Sequence, residues 1–369
     1  MDSGVKTELV LDFLREKIRN NAFPDGQLPR EVDLCAMLGV SRVTVRRALA
    51  NLSDCGLIIR RRRAGTFVHS KKTETQSVIG IMMRTQGHVY GDMYSCLSEK
   101  LSERGFSTQV VSFQGQSHKD RSEQLRQQVL RLLSQPLRGL IVEGYVLGEL
   151  PSLKGLQKAM PVLWDFFDAP QPIEATGVWF DYADAGYQAA RFLLDHGCRR
   201  PMLIIHRTPL QVRFNPVNYQ RHREKQVISG YKKAMQEAGL DGDDLIFDPS
   251  PYGHKEYDEC IIRIMRDEKL RPDGILGSAD SLVLRPLKET MFLKLKVPEE
   301  ILFVGIGNTP WSSVDSIHPF SSVDLQLDAT AEKIVEQVLQ PPAKRKDVFI
   351  KPKLVVRNCS CPICAGKTG

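Results

Sequence analysis

Residues 28 to 68 leave the chain little choice of local fold. Leu34, Leu38, Val45, Leu49 and Leu52 recur at the spacing that buries one side of two consecutive helices, and Gly39-Val40-Ser41 interrupts them. Gly39 suits the left-handed conformation that ends a helix, and the Ser41 hydroxyl suits the cap of the next one. A glycine-containing break this short joins the two helices of a helix-turn-helix. Arg42, Thr44, Arg46 and Arg47 fall between the buried positions of the second helix, so its free face is cationic. Gly56 then stops that helix and Leu57-Ile58-Ile59 starts an extended run. Arg60, Arg61, Arg62 and Arg63 separate this run from Ala64-Gly65-Thr66-Phe67-Val68, which reads as a hairpin with its charge near the tip. Taken singly, the arginines are explained by a solvated helix face. A capped turn, a cationic amphipathic helix and a basic hairpin in this order describe a winged helix-turn-helix and point to double-stranded DNA.

The distribution of charge supports the same division. The 369 residues carry a formal net charge of +7, of which residues 1–72 hold +6 and the rest +1. A polyanion is thereby assigned to one N-terminal module instead of to the whole surface. No apolar run reaches 18 residues, so no membrane-spanning helix is expected. The start, Met1-Asp2-Ser3-Gly4, leads into a polar amphipathic segment and does not read as a secretory signal, which favours a cytoplasmic location. Cys35, Cys55, Cys96, Cys198 and Cys260 sit mostly in apolar contexts as small hydrophobes. Cys359, Cys361 and Cys364 crowd the last eleven residues, but three thiols without a histidine fall one ligand short of a structural zinc site. A redox-sensitive tail is expected there, and neither a metal nor a cofactor elsewhere.

Along the chain, a first helix at about residues 7–21 carries Leu9, Val10, Phe13, Leu14 and Ile18 on one face and closes a three-helix core. Residues 69–77 are polar and aperiodic, a linker. From Val78 the texture becomes strand, helix, strand: apolar runs at 78–83, 108–111 and 139–142 alternate with helical patterns at 92–104 and 121–133. The alternation resumes with strands at 162–164, 202–205, 274–276 and 302–305 and helices at 183–196, 225–238 and 281–293. Such a pattern builds parallel sheets with crossover helices, and two halves would make two lobes. The fold class is thus α/β, an N-terminal winged helix-turn-helix followed by a two-lobed domain. The divisions are 1–68, the linker 69–77, the two-lobed domain 78–357 and the Cys-rich tail 358–369.

The residues at 7–68 resemble the winged-helix domain of GntR-type bacterial transcription regulators, on the strength of Leu28-Pro29-Arg30-Glu31, Val40-Ser41-Arg42-Val43-Thr44-Val45-Arg46 and Gly65-Thr66-Phe67-Val68. Arg30 stands where that family usually has serine, and Arg63 where its wing commonly has a first glycine. Residues 78–357 resemble the effector-binding domain of the lactose-repressor family, which shares its fold with type I periplasmic sugar-binding proteins. Phe180-Asp181-Tyr182-Ala183-Asp184-Ala185-Gly186, Gly230-Tyr231-Lys232-Lys233-Ala234, Pro272-Asp273-Gly274-Ile275-Leu276 and Val297-Pro298-Glu299-Glu300-Ile301 carry that likeness. The combined layout is similar to that of arabinose repressors.

The resemblance implies a regulator of transcription, a repressor first and an activator second, whose operator affinity answers to a small molecule between the lobes. On the DNA side, Arg30, Ser41, Arg42, Thr44, Arg46, Arg47, Arg61, Arg62, Arg63 and Gly65 are the candidates. Arginines on the second helix suit guanine edges and Thr44 a phosphate or a thymine methyl, while wing arginines suit phosphates. An ion pair of Arg46 or Arg47 with Asp54 or Glu31 is the alternative. A homodimer would read two half-sites. On the effector side, the carboxyl ends of the parallel strands define the crevice, with Tyr90, Trp164, Asp165, Arg213, Asp280 and Asn308 as candidates for a sugar-like ligand. Three departures from the family, Val227 for an arginine, Ala279-Asp280 for Asn-Asp and Gly305-Ile306-Gly307-Asn308 for Gly-x-Asp-Asp, leave a standard sugar unassured. No phosphate loop, nucleophile elbow or paired catalytic carboxylates occur, so catalysis is not expected. A solute-binding protein is opposed by the basic head.

Overall fold

The computed structural model describes residues 3–19, 22–23, 26–54, 57–61, 65–68, 78–113, 119–149, 154–166, 173, 175–205, 219–248, 254–314 and 318–357. The chain divides into two units, Met1–Thr75 and Gln76–Gly369. The linker and the three tail cysteines named above fall outside the described residues.

In the first unit, α1 (Ser3–Arg19), α2 (Glu31–Leu38) and α3 (Arg42–Asp54) precede a hairpin of β1 (Ile58–Arg61) and β2 (Gly65–Val68). Val10, Leu11 and Leu14 from α1, Leu34 from α2, Val45, Ala48, Leu49 and Leu52 from α3, and Ile58 from β1 form one buried cluster. Burying each such Leu or Val is worth about 1.5–3 kcal/mol, enough to fix the helices against one another. Gly39, at φ 61°, ends α2 in the left-handed conformation, and the Ser41 hydroxyl accepts the Thr44 backbone N–H at 3.2 Å. Before α2, the Arg30 N–H donates to the Asp33 carboxylate at 3.3 Å. Only this half of a capping box forms, because a guanidinium accepts nothing in return. The hairpin pairs Ile58 with Val68 and Arg61 with Gly65, and the Leu28 N–H donates to the Thr66 carbonyl at 2.9 Å, tying the wing to the approach to α2. Gly65 sits at φ 115°, a backbone conformation that residues with a Cβ rarely adopt, so this wing position favours glycine.

The second unit begins with β3 (Val78–Met83), α4 (His88–Glu103), β4 (Ser107–Ser112), α5 (Lys119–Leu133), β5 (Gly139–Glu143), α6 (Lys154–Ala159), β6 (Val162–Phe166) and β7 (Thr176–Phe180). It continues through α7 (Tyr182–Asp195), β8 (Pro201–Ile204), α8 (Tyr219–Glu237), β9 (Ile246–Phe247), α9 (His254–Arg266), β10 (Gly274–Gly277), α10 (Asp280–Leu293) and β11 (Leu302–Ile306). β12 (Ser321–Asp324), α11 (Leu327–Leu339), β13 (Val348–Ile350) and β14 (Lys353–Val355) complete it. Two six-stranded sheets result, ordered β13-β7-β6-β5-β3-β4 and β14-β12-β11-β10-β8-β9. All pairs are parallel except β12 with β14.

The lobes are not the two sequential halves expected from the repeat. β6 and β7 complete the first sheet, so the second lobe starts only at α7 and β8. The chain later returns: α11 packs on α4, β5 and β7 of the first lobe, β13 pairs with β7, and β14 pairs with β12 of the second. An apolar run specifies a buried strand but not which of two sheets receives it. Three crossings therefore join the lobes, after β7, after β12 and between β13 and β14.

Candidate DNA-reading face and ligand crevice

On α3 the buried residues Thr44, Val45, Ala48, Leu49 and Leu52 turn inward, and Arg42, Val43, Arg46, Arg47, Ala50 and Asn51 are exposed. No acid lies in its first turn. The ion pair weighed from sequence is present: Arg46 Nε donates to Glu31 Oε2 at 2.8 Å. The Arg46 side chain nevertheless stays 62% exposed. A surface pair of this kind is worth about 0–1 kcal/mol, too little to withhold the guanidinium from a phosphate or base, and enough to orient it. Thr44 was expected to offer its hydroxyl or methyl to DNA. It is only 6% exposed and its hydroxyl bonds that of Ser41 at 2.8 Å, so the two hydroxyls serve the start of the helix. Arg30 is exposed just before α2. Arg61 ends β1 opposite Gly65; Arg62 and Arg63 lie outside the described residues.

In the second unit, the carboxyl ends of the neighbouring strands β3, β5 and β6 bring together Arg84, Glu143 and Asp165. Arg84 gives its backbone N–H to Glu143 Oε2 at 2.7 Å and its Nε to Glu143 Oε1 at 2.6 Å. Its guanidinium lies between the rings of Tyr90 and Tyr145, 3.9 and 4.2 Å from their centroids, and also donates to the Tyr90 hydroxyl at 2.5 Å. Asp165 accepts from the Tyr182 hydroxyl at 2.7 Å, a bond from α7 of the second lobe to β6 of the first. Arg223, in the first turns of α8, stands 5.5 Å from the Tyr182 ring centroid and pairs with Glu224 at 2.6 Å. Burial pushes the Glu143 and Asp165 carboxyls above their ordinary range, against the pull of Arg84. Burial likewise raises the Tyr90 and Tyr182 hydroxyls, which stay protonated donors.

This cluster is incompletely satisfied. Of the seven buried side-chain N and O atoms without a hydrogen-bond partner among the described residues, three belong to it: Trp164 Nε1, Asp165 Oδ2 and Glu224 Oε2. Asp165 also holds a strained backbone at φ 103°. Orphaned buried polar atoms and backbone strain concentrate where a ligand completes the site. Asp165 Oδ2, 3.7 Å from the Arg84 guanidinium, and Glu224 Oε2 accept hydroxyl protons, and an indole N–H donates to a ring or hydroxyl oxygen, which is the complement of a polyhydroxylated molecule.

The remaining sequence candidates are placed differently. Trp164 is fully buried against Tyr90 and Phe180, with ring centroids 6.2 and 6.3 Å away, so its ring is core and its N–H is the polar feature. Asp280 is occupied: it accepts from the Thr309 N–H at 2.7 Å, the Thr309 hydroxyl at 2.8 Å and the Ser322 hydroxyl at 2.6 Å. Asn308, at φ 49°, donates to Asp324 at 2.9 Å and accepts from Arg357. These two brace the carboxyl end of β11. Arg213 lies outside the described residues. At the lobe junction the His88 ring meets the Trp311 ring edge-on at 4.6 Å, joining the start of α4 to the loop after β11. Arg84, Glu143 and Tyr182 are not among the six effector-side candidates read from sequence, although Arg84 and Glu143 open two of the loops that follow the strands. Their signal was there in part, since Arg84 and Glu143 are the first charged residues after or at the end of apolar strands. Among the described residues no cluster of His, Cys, Asp or Glu suits a metal ion, and no helix is long and apolar enough to cross a membrane.

Both units have counterparts among known proteins. Residues 6–68 match the family of bacterial regulatory proteins of the gntR type, and residues 169–360 match the periplasmic binding protein-like domain. The chain is 25% identical to the arabinose metabolism transcriptional repressor of Halalkalibacterium halodurans, over 95% of its own length and 96% of the relative's. It is 24% identical to the protein of the same name from Geobacillus stearothermophilus, with the same coverage. Among solved structures, a periplasmic binding protein/LacI transcriptional regulator from Alkaliphilus metalliredigens complexed with D-xylulofuranose is similar at a TM-score of 0.55 and 16% identity. That likeness covers 76% of this chain and 98% of the other, and concerns the fold.

Proposed function

Because the chain belongs to the GntR-type transcription regulators that carry a periplasmic-binding-protein-like domain, we propose that it represses transcription from an operator read by α3 and the wing, and releases it when a sugar enters the crevice. The observation that carries this reading is the acid-free exposed arc of α3, Arg42, Arg46 and Arg47, in one chain with a two-lobed unit whose crevice holds unsatisfied buried polar groups. The names of the two relatives support repression and a sugar effector. Residues 1–68 serve the DNA, 69–77 link, and 78–357 bind effector and a second copy, since one head covers too little DNA and a two-fold dimer reads two half-sites. The operator lies in the cytoplasm, and no catalytic step is assigned to the chain.

In this mechanism Arg42 and Arg46, about one helical turn apart, address guanine edges in the major groove, with Glu31 holding Arg46 in place. The wing arginines supply affinity through phosphates. The crevice connects both lobes through Tyr182 to Asp165 and His88 to Trp311. A ligand that binds Asp165 and Glu224 shifts the balance between lobe arrangements only by its difference in affinity for them.

The test starts from selection of duplexes by the full-length protein from a random library. Arg46→Ala is expected to cost about 1–3 kcal/mol of operator binding and to relax base preference at one position. Normal operator binding by this variant would sink the assignment of α3. Sedimentation is expected to give a dimer at micromolar concentration, and a panel of neutral sugars that includes L-arabinose is expected to contain one that releases the DNA. A monomer, or an operator complex indifferent to every sugar, would count against the dimer or the effector respectively.

A further inference from the structure

We infer that Val43 is a specificity-determining residue that reads the methyl group of a thymine in the operator. The inference rests on α3 being the reading helix. Val43 is the second residue of α3 and is 65% exposed. It does not belong to the buried cluster of the first unit, and Arg42, Arg46 and Arg47 flank it in sequence or one turn away. Branching at Cβ restricts its side chain and makes valine a poor choice for a solvated helix start, where serine, glutamate or lysine would serve better. What valine presents is a stiff apolar surface in the midst of guanidinium groups. The major-groove edges of base pairs carry one matching feature, the C5 methyl of thymine. Thr44, the other residue on this turn with a methyl to offer, is turned inward and hydrogen-bonded to Ser41. With arginines on either side suited to guanine, the half-site should place a thymine next to a guanine.

The test uses the full-length protein and the operator obtained by selection. Each thymine is replaced in turn by deoxyuridine, which removes one methyl and leaves base pairing intact. One position per half-site is expected to lower the affinity of the parent protein about fourfold, the equivalent of ~0.8 kcal/mol for one buried methyl-sized group. Val43→Ser, whose thermal melt should match that of the parent because the site is exposed, is expected to bind the thymine and deoxyuridine operators equally. An equal methyl effect in parent and variant, or none in the parent, would overturn the inference and leave the regulator reading intact. Failure of the selection to yield any preferred sequence would overturn both.

Discussion

Gly230→Ala is expected to destabilise the second unit by about 2 kcal/mol or more, although alanine is the better helix former. In a helix interior that exchange alone favours alanine by about 0.5–1 kcal/mol. Here α7 and α8 approach backbone to backbone. A Cβ on Gly230 would stand 1.9 Å from the Ala183 carbonyl oxygen and 2.7 Å from the Tyr187 nitrogen. One on Gly186 would stand 2.3 Å from the Val227 carbonyl oxygen. Neither neighbour is a flexible side chain, so the helices must separate, and overpacking of this kind costs about 1–3 kcal/mol, more when backbone has to move. Clash exceeds propensity. Tyr182 begins α7 and Arg223 lies near the start of α8, so the separation also disturbs the contact of Tyr182 with Asp165. Urea unfolding followed by far-UV circular dichroism checks the expectation, and Gly186→Ala should behave alike. A Gly230→Ala protein as stable as its parent would mean that the two helices do not touch here.

The first unit could be read almost entirely from the sequence, because its information is local. Gly39 and Ser41 cap within a few residues of the hydrophobic positions they separate, and the hairpin pairs residues ten or fewer apart. The second unit was read at the level of alternation but not of assignment. The run at 162–164 looks alike whether it closes the first sheet or opens the second, and the structure puts it in the first. α11 carries an apolar stripe in Leu327, Ala331, Ile334, Val335 and Val338 that the sequence reading does not include, and its return to α4 depends on contacts more than 200 residues away, such as Arg104 with Glu332. The site follows the same rule. Exposure of Arg42, Arg46 and Arg47 follows from helical period, and the inward turn of Thr44 from its partner Ser41. The union of Arg84, Glu143, Asp165 and Tyr182 depends on strand order and lobe crossing, which no short-range pattern encodes.

Arg84→Met is expected to remove about 3–5 kcal/mol of stability at neutral pH, the cost of leaving buried carboxylates without their cation. Methionine keeps most of the volume, so the loss isolates charge from cavity. Glu143 and Asp165 are 0% and 1% exposed, and burial already raises both carboxyls in the presence of Arg84. Without it they rise further. A carboxyl whose folded pKa exceeds its unfolded value binds more protons when folded, so its favourable contribution is present in acid and is lost as pH rises through the folded pKa. The deficit of Arg84→Met against the parent is therefore largest at neutral pH and above, and narrows as pH falls toward the ordinary carboxylate range of about 4. Denaturant titrations of both proteins across pH measure it. Adding Glu143→Gln to Arg84→Met should restore part of the loss and flatten the pH dependence. A deficit that is the same at every pH would assign the role of Arg84 to packing between the Tyr90 and Tyr145 rings instead of to charge.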